Sequence, residues 1–274
     1  MIKLQPLREF NLPVIAECIN PDIFNGKTTA EIEKLKLWEG NKQKNLGELF
    51  KIEETKASNP QENNVIEIRG NVGKVRRIGA DMRSGEITIY GDVGMHLGEE
   101  MKGGRIVVHG NVGGWTGSMM KGGTIEIHGN TGDYLGAPYR GSSEGMRGGT
   151  IIVYGNVGNE AGAHMKKGLI KIYGNAGQFA GLRMKGGTIY IQKDSEARVG
   201  ACMTGGKIIV GGFLESILPT FTIDSIKDKV KIEEDETAKG PFYLFIGDIT
   251  ENGNGKLYVL KEKNPHLSHY EKLL

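Results

Sequence analysis

Residues 106–123 have the sequence IVVHGNVGGWTGSMMKGG, and variants of this phrase recur along the chain. Each copy begins with an apolar triplet, passes through a Gly-Asn-Val-Gly corner and ends near Met-Lys-Gly-Gly. A fixed period near twenty residues is typical of solenoid proteins, in which each repeat packs on its neighbours. The period is set by seven methionines, separated by 19, 19, 26, 19, 19 and 19 residues: Met82, Met101, Met120, Met146, Met165, Met184 and Met203.

The triplets predict short strands, because alternation such as Ile125-Glu-Ile127 places two apolar side chains on one face. A helix is disfavoured, since each repeat contains several glycines and each costs roughly 1 kcal/mol in a helix interior. Strands that pair with their own copies form parallel ladders with a spacing of about 4.8 Å. We therefore predict an all-β chain, a right-handed parallel β-helix of about seven 19-residue coils with a capping extension at each end. The hand is the usual one for parallel crossovers.

Three further positions of the repeat have predictable roles. The glycines that occupy the positions of Gly110 and Gly117 predict recurring backbone bends, because glycine reaches positive φ without steric cost. The Asn or Asp that occupies the position of Asn111 tolerates the left-handed region and can hydrogen-bond along a ladder. The methionines, together with residues such as Leu97, are expected to fill the axis of the solenoid.

The repeats divide the chain into three parts. Residues 65–212 form the coils, and one coil carries an inserted loop at 137–145. Residues 1–64 form an N-terminal cap, with a short helix from Thr29 and a strand near Phe50 that can begin the stack. Residues 213–274 form a β-rich cap, with strands around Phe242 and Lys256 and an extended docking tail from Asn264.

Composition excludes several classes of protein. The 35 basic and 33 acidic residues give a net charge of +2, without the basic excess of a general nucleic-acid binder. Cys18 and Cys202 are far apart, so no disulfide framework, zinc site or iron–sulfur site is predicted. Without a signal-like segment or a long apolar run, a cytoplasmic protein is expected, with no membrane contact.

The position after each methionine is basic in six of the seven repeats. Cations in register form a stripe along one edge, where neighbours repel each other by roughly 1 kcal/mol in water. The stripe either holds an anionic partner or ligand, or is a solvated edge that prevents side-on aggregation. Its residues are Arg83, Lys102, Lys121, Arg147, Lys166 and Lys185.

A second outward stripe follows the triplets, and flat rings stacked along it would suit a partner surface. His109 and His128 are neighbours in it, but a zinc site needs further ligands in register. No nucleophile elbow, phosphate loop or zinc-protease motif is present, so no catalytic or metal-binding residue is predicted on this chain. The stripe contains Arg69, Tyr90, His109, His128, Tyr154, Tyr173 and Gln192.

The inserted loop is the best local candidate for a contact site. It contains Tyr139, Arg140, Ser142 and Glu144, and Tyr and Arg are typical anchors of protein interfaces. The alternative is an inert insertion that protrudes from the coils.

The coils resemble the C-terminal β-helix domain of the large subunit of glutamate synthase. Over nearly the whole chain, the sequence resembles more closely the C subunit of formylmethanofuran dehydrogenase. The resemblance includes the inserted coil at 136–149, Glu17-Cys-Ile-Asn-Pro-Asp, Trp38-Glu-Gly-Asn and Asn264-Pro-His-Leu. A related C subunit occurs in the bacterial formyltransferase/hydrolase complex.

The closer resemblance implies an archaeal, cytoplasmic, multisubunit oxidoreductase that reduces CO2 and condenses the product onto methanofuran, the first step of methanogenesis. It implies a molybdenum or tungsten pterin, iron–sulfur clusters and a binuclear metal site on other subunits, and no cofactor on this chain. This chain would be a non-catalytic structural and docking subunit, whose basic stripe could hold the carboxylates of methanofuran. A carbohydrate-active β-helix enzyme is disfavoured, because Asp92 and Asp194 are the only acidic residues at the Asn corner and lie five coils apart.

Overall fold

The computed structural model describes residues 1–55 and 64–274. Strands account for 37% of the structure and helices for 11%, so the chain is mostly β, as predicted. Among the described residues, no helix is both long and apolar enough to cross a membrane.

The helices and strands have the following bounds. Within the described residues, the α-helices are α1 (Pro21–Phe24) and α2 (Thr29–Glu33), and 3-10 helices span Leu46–Glu48, Ile249–Glu251, Lys261–Lys263 and Pro265–Leu273. The strands are β1 (Ile2–Pro6), β2 (Val14–Ile15), β3 (Lys36–Glu39), β4 (Lys42–Asn45), β5 (Phe50–Glu54), β6 (Val65–Arg69), β7 (Val75–Arg76), β8 (Glu86–Tyr90), β9 (Arg105–Val108), β10 (Thr124–Ile127), β11 (Arg147–Val153), β12 (Lys167–Ile172), β13 (Thr188–Ile191), β14 (Lys207–Val210), β15 (Thr222–Glu233), β16 (Glu236–Gly247) and β17 (Gly255–Leu260).

A 13-stranded sheet contains the triplets of successive repeats, in the order β15-β16-β17-β14-β13-β12-β11-β10-β9-β8-β6-β1-β5. From β6 to β14 every neighbouring pair is parallel, and the triplets pair equivalent residues, so that Ile106 is opposite Ile125 and Ile125 is opposite Ile151. The predicted parallel, in-register stacking of the triplets is therefore confirmed.

A second parallel ladder lies at the corner after the triplets. It consists of single bridges between equivalent residues, including Val93 with Val112 and Val112 with Thr131. The ladder continues without interruption from Val72 to Leu214. Each repeat is therefore paired with the next along both of these lines.

The interior is apolar and contains the methionine column. All seven repeat methionines are fully buried, together with the inward residues of the triplets and Leu97. The predicted role of the methionines as core is confirmed, and their unbranched side chains suit a column of identical neighbours.

The corner residues correct two of the sequence-based expectations. Gly117 has φ +62° as predicted, and at the corner Gly70 and Gly91 have φ +125° and +156°, but Gly129 at the same corner position does not have positive φ. A Cβ on Gly129 would lie 2.5 Å from the carbonyl oxygen of Gly110, so this position needs glycine because two backbones approach closely. The Asn residues are not left-handed either, and that conformation occurs at other positions, including His96 and Trp115.

The Asn and Asp side chains do hydrogen-bond along the ladder, as predicted. The backbone N–H of Asn130 donates to Asn111 Oδ1 at 2.9 Å, and the N–H of Asn156 donates to Asn130 Oδ1 at 2.8 Å. We call this line of residues the asparagine corner; it comprises Asp92, Asn111, Asn130, Asn156, Asn175 and Asp194.

The N-terminal part covers one end of the stack. The strand that pairs in parallel with β6 is β1, and β5 is antiparallel to β1 at the sheet edge. The segment at Phe50 is therefore the outermost strand at this end of the sheet, as expected, but β1 lies between it and β6. The helix predicted from Thr29 is confirmed as α2, and Thr28 and Glu31 form its capping box. A smaller sheet, β4-β3-β2-β7, joins the N-terminal part to the first repeat through β7.

The C-terminal part covers the other end. The predicted strands at Phe242 and Lys256 are confirmed as β16 and β17, and β17 extends the parallel ladder next to β14. The β15–β16 hairpin packs on the outer face of the sheet, where Val230 and Phe242 join Ile209 in a second apolar cluster. The tail is not extended: Pro265–Leu273 is a 3-10 helix, preceded by a fully buried Asn264.

Candidate functional site

The repeat position two residues before the left-handed glycines forms a second line of rings. His96 stacks on Trp115 with a centroid distance of 5.5 Å, and Trp115 stacks on Tyr134 at 4.4 Å. We call these three residues the loop-side ladder. They were missed in the sequence, although their constant distance from Gly98, Gly117 and Gly136 places them in one register.

The inserted loop lies against this ladder. The ring of Tyr139 meets His96 edge-on at 5.2 Å, and the guanidinium of Arg140 lies 6.0 Å from the Trp115 ring centroid. Tyr139 is nevertheless 48% exposed. The loop therefore does not simply protrude, because it presents Tyr139 and Arg140 both to its own coils and to solvent.

Of the other two predicted loop residues, Glu144 holds the loop to the next repeat and Ser142 stabilises the loop internally. Glu144 Oε1 accepts from Lys166 Nζ at 2.5 Å, and Glu144 Oε2 lies 3.0 Å from Arg147 Nη2. The Lys166 ammonium lowers the pKa of Glu144. Ser142 Oγ accepts from the backbone N–H of Glu144 at 3.1 Å. These contacts make Ser142 and Glu144 supports for the loop in the isolated chain.

A cleft of about 440 Å³ separates the loop from the neighbouring repeats and the smaller sheet. Because β2 and β7 pair, Ile15 and Arg76 are brought to the wall opposite the loop. The cleft is lined by Ile15, Arg76, Arg77, His96, Glu99, Glu100, Met119, Tyr139, Arg140 and Ser142.

A partly buried polar cluster lies at the cleft, with Glu99 buried and Arg77 and Glu17 still partly exposed. Arg77 Nε lies 3.0 Å from Glu17 Oε1 and 3.1 Å from Glu99 Oε2, and His96 Nδ1 lies 3.5 Å from the same Glu99 oxygen. Despite these distances, Arg77 Nε, His96 Nδ1 and Glu99 Oε2 make no well-aligned hydrogen bond among the described residues. The groups therefore attract one another chiefly as charges and dipoles, and buried polar atoms in this state call for an explanation.

Burial changes the ionisation of this cluster. Desolvation, with smaller contributions from Arg77 and Arg76, lowers the pKa of His96 to about 4. Desolvation also raises the pKa of Glu99, and Arg77 partly opposes that shift. At neutral pH His96 is therefore an uncharged ring, so the positive charge of the cleft comes from arginines.

Two of those arginines lack an internal counterion. Within residues 1–55 and 64–274, no carboxylate lies within ion-pair distance of Arg76 or Arg140, whereas Glu100 pairs with Lys121 at 2.6 Å. The cleft thus presents two guanidinium groups beside neutral rings, an arrangement that suits a carboxylate.

The basic stripe is less uniform than its sequence suggests. Lys102 pairs with Asp81 at 2.6 Å, Lys121 with Glu100, and Lys166 and Arg147 share Glu144. The predicted single charged edge is therefore wrong in detail: it is a mixed edge, with carboxylates between several of its cations. Asp81 and Glu100 precede a methionine directly, so the pattern could have been recognised in the sequence.

The outward stripe after the triplets stacks as predicted. Ring centroids are 4.7 Å apart for Tyr90 and His109, 4.8 Å for His109 and His128, and 4.9 Å for His128 and Tyr154. Nowhere in the described part of the chain do three His, Cys, Asp or Glu side chains cluster as potential metal ligands. This stripe therefore offers flat aromatic surface.

The in-register ladders and the arginine- and aromatic-rich cleft define a repeat protein whose surface suits contact with other molecules. No family model matches the chain. It is 48% identical, over 267 residues, to the C subunit of the tungsten-containing formylmethanofuran dehydrogenase 2 of Methanococcus maripaludis, covering 94% of this chain and 96% of that protein. The chain belongs to the family of formylmethanofuran dehydrogenase C subunits, which confirms the predicted family.

Two further similarities differ in extent. The C subunit of the molybdenum-containing formylmethanofuran dehydrogenase 1 of Methanothermobacter thermautotrophicus is 45% identical over 94 residues, which cover 34% of this chain but only 22% of that relative. A chain in the crystal structure of the formyltransferase/hydrolase complex of Methylorubrum extorquens with methylofuran superposes with a TM-score of 0.85 at 29% identity. That match covers 94% of this chain and 99% of the other.

Proposed function

We propose that this chain is a non-catalytic structural and docking subunit of a cytoplasmic formylmethanofuran dehydrogenase complex. The complex would reduce CO2 and form formylmethanofuran, the first step of methanogenesis. The observation that carries the proposal is the 48% identity to a C subunit of that enzyme over 94% of the chain. A C subunit of a formyltransferase/hydrolase complex is less well supported, because the identity to that structure is 29%.

The proposed architecture is a right-handed parallel β-helix. Its support is the pair of parallel ladders, one of triplets and one of corner bridges, with a buried methionine column. In this proposal residues 65–212 form the coils, 137–145 form the inserted loop, and residues 1–64 and 213–274 form the caps. A stack of this kind would give partner subunits a stiff surface to assemble on.

The cofactors of the complex would lie on other subunits: a molybdenum or tungsten pterin, iron–sulfur clusters and a binuclear metal site. The chemistry of the two cysteines agrees with this assignment. Burial raises the pKa of the Cys18 thiol to about 12, so it is a poor source of the thiolate that metal sites use. Cys202 is a single further thiol.

The subunit role is tested by affinity purification of the tagged chain from a methanogen that expresses it. We expect other dehydrogenase subunits to co-purify, together with pterin and molybdenum or tungsten. Recovery of the chain alone, under conditions that preserve the dehydrogenase activity of the extract, would contradict the proposal.

The basic stripe is proposed to help hold methanofuran, a carboxylate-rich carrier. Replacing Lys102, Lys121 and Lys166 by Gln should then raise the KM for methanofuran in the assembled complex. The matched control is Asp81→Asn and Glu100→Gln, which breaks two of the same ion pairs but keeps the cations and leaves the inserted loop unchanged. We expect the control to leave the KM for methanofuran unchanged or to lower it. An unchanged KM in the lysine variant would contradict the proposal that the basic stripe helps hold methanofuran.

The inserted loop is proposed as a partner contact through Tyr139, Arg140, Ser142 and Glu144. Deleting the seven residues 138–144 returns the methionine spacing from 26 to 19, so the stack itself should survive. We expect the deletion to weaken assembly, measured by the yield of partner subunits. Full assembly and activity would remove the loop from the proposal.

A further inference from the structure

The cleft beside the inserted loop has an apolar rim on the side of the smaller sheet. Ile15 is 38% exposed and Trp38 is 45% exposed, and their positions pair across β2 and β3. Tyr139 faces the same cleft from the loop. Tryptophan, tyrosine and arginine are the residues most enriched among energetically important interface contacts. The cleft and its rim therefore have the composition of a protein interface, with its charged groups inside and its apolar groups outside.

The charged groups inside favour an anion. Arg76 and Arg140 have no carboxylate partner within the described residues, and Arg77 is shared between Glu17 and Glu99. Of the carboxylates that line the cleft, Glu99 lies 3.1 Å from Arg77 Nε and Glu100 pairs with Lys121, so each already has a cationic partner. An ion pair formed between these walls would be less screened than one on an open surface. The planar guanidinium fork also matches a carboxylate with two parallel hydrogen bonds.

We propose that this cleft receives an acidic side chain from a segment of a partner subunit, an Asp or Glu next to an apolar residue. The guanidinium groups of Arg76 and Arg140 bind the carboxylate, and the apolar neighbour packs on Ile15, Trp38 and Tyr139. A protein segment fits better than a small carboxylate because the exposed apolar rim continues outside the cleft, where a small ligand would leave it uncovered. The inference rests on the proposed role as a docking subunit.

The first test is photo-crosslinking in the purified complex, with benzoylphenylalanine in place of Tyr139. We expect a crosslink to a peptide of another subunit that contains an Asp or Glu within a few residues of the attachment point, identified by mass spectrometry. Crosslinks confined to this chain would overturn the inference.

The second test is charge reversal with a matched control. Arg76→Glu combined with Arg140→Glu should lower the amount of co-purified partner by about tenfold or more, as for a desolvated charge pair. Arg76→Lys combined with Arg140→Lys should give an intermediate amount of co-purified partner, because lysine keeps the positive charge but lacks the planar guanidinium that binds a carboxylate with two hydrogen bonds. Arg183→Glu is the control: Arg183 is exposed, as Arg140 is, and has no carboxylate within ion-pair distance in the described part of the chain. It should assemble like the wild type.

The outcomes separate the inference from the proposed function. A chain that purifies without other dehydrogenase subunits refutes the function. A complete complex that tolerates the double reversal refutes the inference alone. Restoration of assembly by changing the crosslinked acidic residue to Arg supports it directly. Glutarate binding to the wild-type complex, measured by calorimetry, tests for a small-molecule site. If the double reversal abolishes that binding while every partner is retained, the cleft binds a small molecule and the inference is wrong. Equal melting temperatures of the variants confirm that the chains fold.

Discussion

The asparagine corner and the loop-side ladder belong to the same repeats but use their side chains differently. At the asparagine corner, each side chain accepts a hydrogen bond from the backbone of the next repeat, as Asn130 does from Asn156. At the loop-side ladder, the same register holds His96, Trp115 and Tyr134, which stack on one another and face the cleft or the loop. One corner is uniform because it holds the backbone together. The other can vary because the backbone does not depend on its side chains.

The largest expected effect comes from adding a methyl group beside the asparagine corner. In Gly129→Ala, the new Cβ would lie 2.5 Å from the carbonyl oxygen and 2.7 Å from the carbonyl carbon of Gly110, and backbone atoms cannot rotate away. We expect the free energy of unfolding to fall by on the order of 3 kcal/mol, as for severe overpacking. Urea denaturation measures the change.

Gly26→Ala is the control for Gly129→Ala. Gly26 has φ +74° and open space around its Cβ position, so alanine costs only the left-handed strain of about 1 kcal/mol. Equal losses at the two sites would show that close approach of the repeats is not what requires glycine at Gly129.

The periodic parts of the molecule could be predicted from the sequence, and the cleft could not. The register of the repeats determines which residues of neighbouring repeats stack. The buried methionines, the parallel triplets and the hydrogen bonds of Asn111 and Asn130 therefore follow from the spacing of the repeats. Ile15, in one wall of the cleft, comes from outside the repeats. Its position depends on the pairing of β2 with β7, which the repeat period does not predict. The direction in which the loop folds is likewise set by contacts of Tyr139 with two different repeats.

The carboxylates between the lysines were also missed, although the repeat period could have predicted them. The carboxylates of Asp81 and Glu100 stand one residue before a methionine, which brings them to the lysine of the following repeat. The 3-10 helix after Asn264 has no periodic signal. Its position is fixed by Asn264, which accepts from the Leu214 backbone N–H and donates to Gly212 and Leu260 oxygens.

The next largest effect concerns pH and the loop-side ladder. The pKa of His96 is about 4 in the folded chain and about 6.5 when unfolded. Between these values the unfolded chain binds a proton that the folded chain does not, so stability falls as the pH drops through this window. His96→Gln removes this contribution. From pH 7 to pH 4 the wild type should therefore lose on the order of 2 kcal/mol more than the variant.

Chemical denaturation at several pH values measures that difference. The raised pKa of Glu99 acts in the opposite direction, because a folded chain that takes up a proton gains stability as the pH falls. Glu99 is present in both proteins, so its contribution largely cancels in the comparison. Parallel stability curves for wild type and His96→Gln would show that burial does not keep His96 neutral.

A smaller effect is expected at a single rung of the asparagine corner. Asn130→Ala removes the acceptor of the Asn156 N–H and the side-chain donor to Asn111, at 2.8 and 3.2 Å. The loss should be about 1 kcal/mol, the usual net value of a protein hydrogen bond. Gln43→Ala on the exposed strand β4 is the control and should stay within about 0.5 kcal/mol of wild type. If both variants unfold alike, the asparagine corner does not hold the repeats together.

The smallest effect on stability is expected at the loop itself. Tyr139→Ser removes a half-exposed ring that meets His96 and Trp115 edge-on, and such a contact contributes about 0.5 kcal/mol at this exposure. The same change should nevertheless reduce assembly more than Asn130→Ala does, because Tyr139 would pack against the partner. Unfolding midpoints, measured on both variants, show which change destabilises the chain more. The yield of co-purified subunits shows which change weakens assembly more. A reversed order, with Tyr139→Ser the more destabilising and the better assembled, would mean that the loop-side surface serves folding and the asparagine corner serves docking.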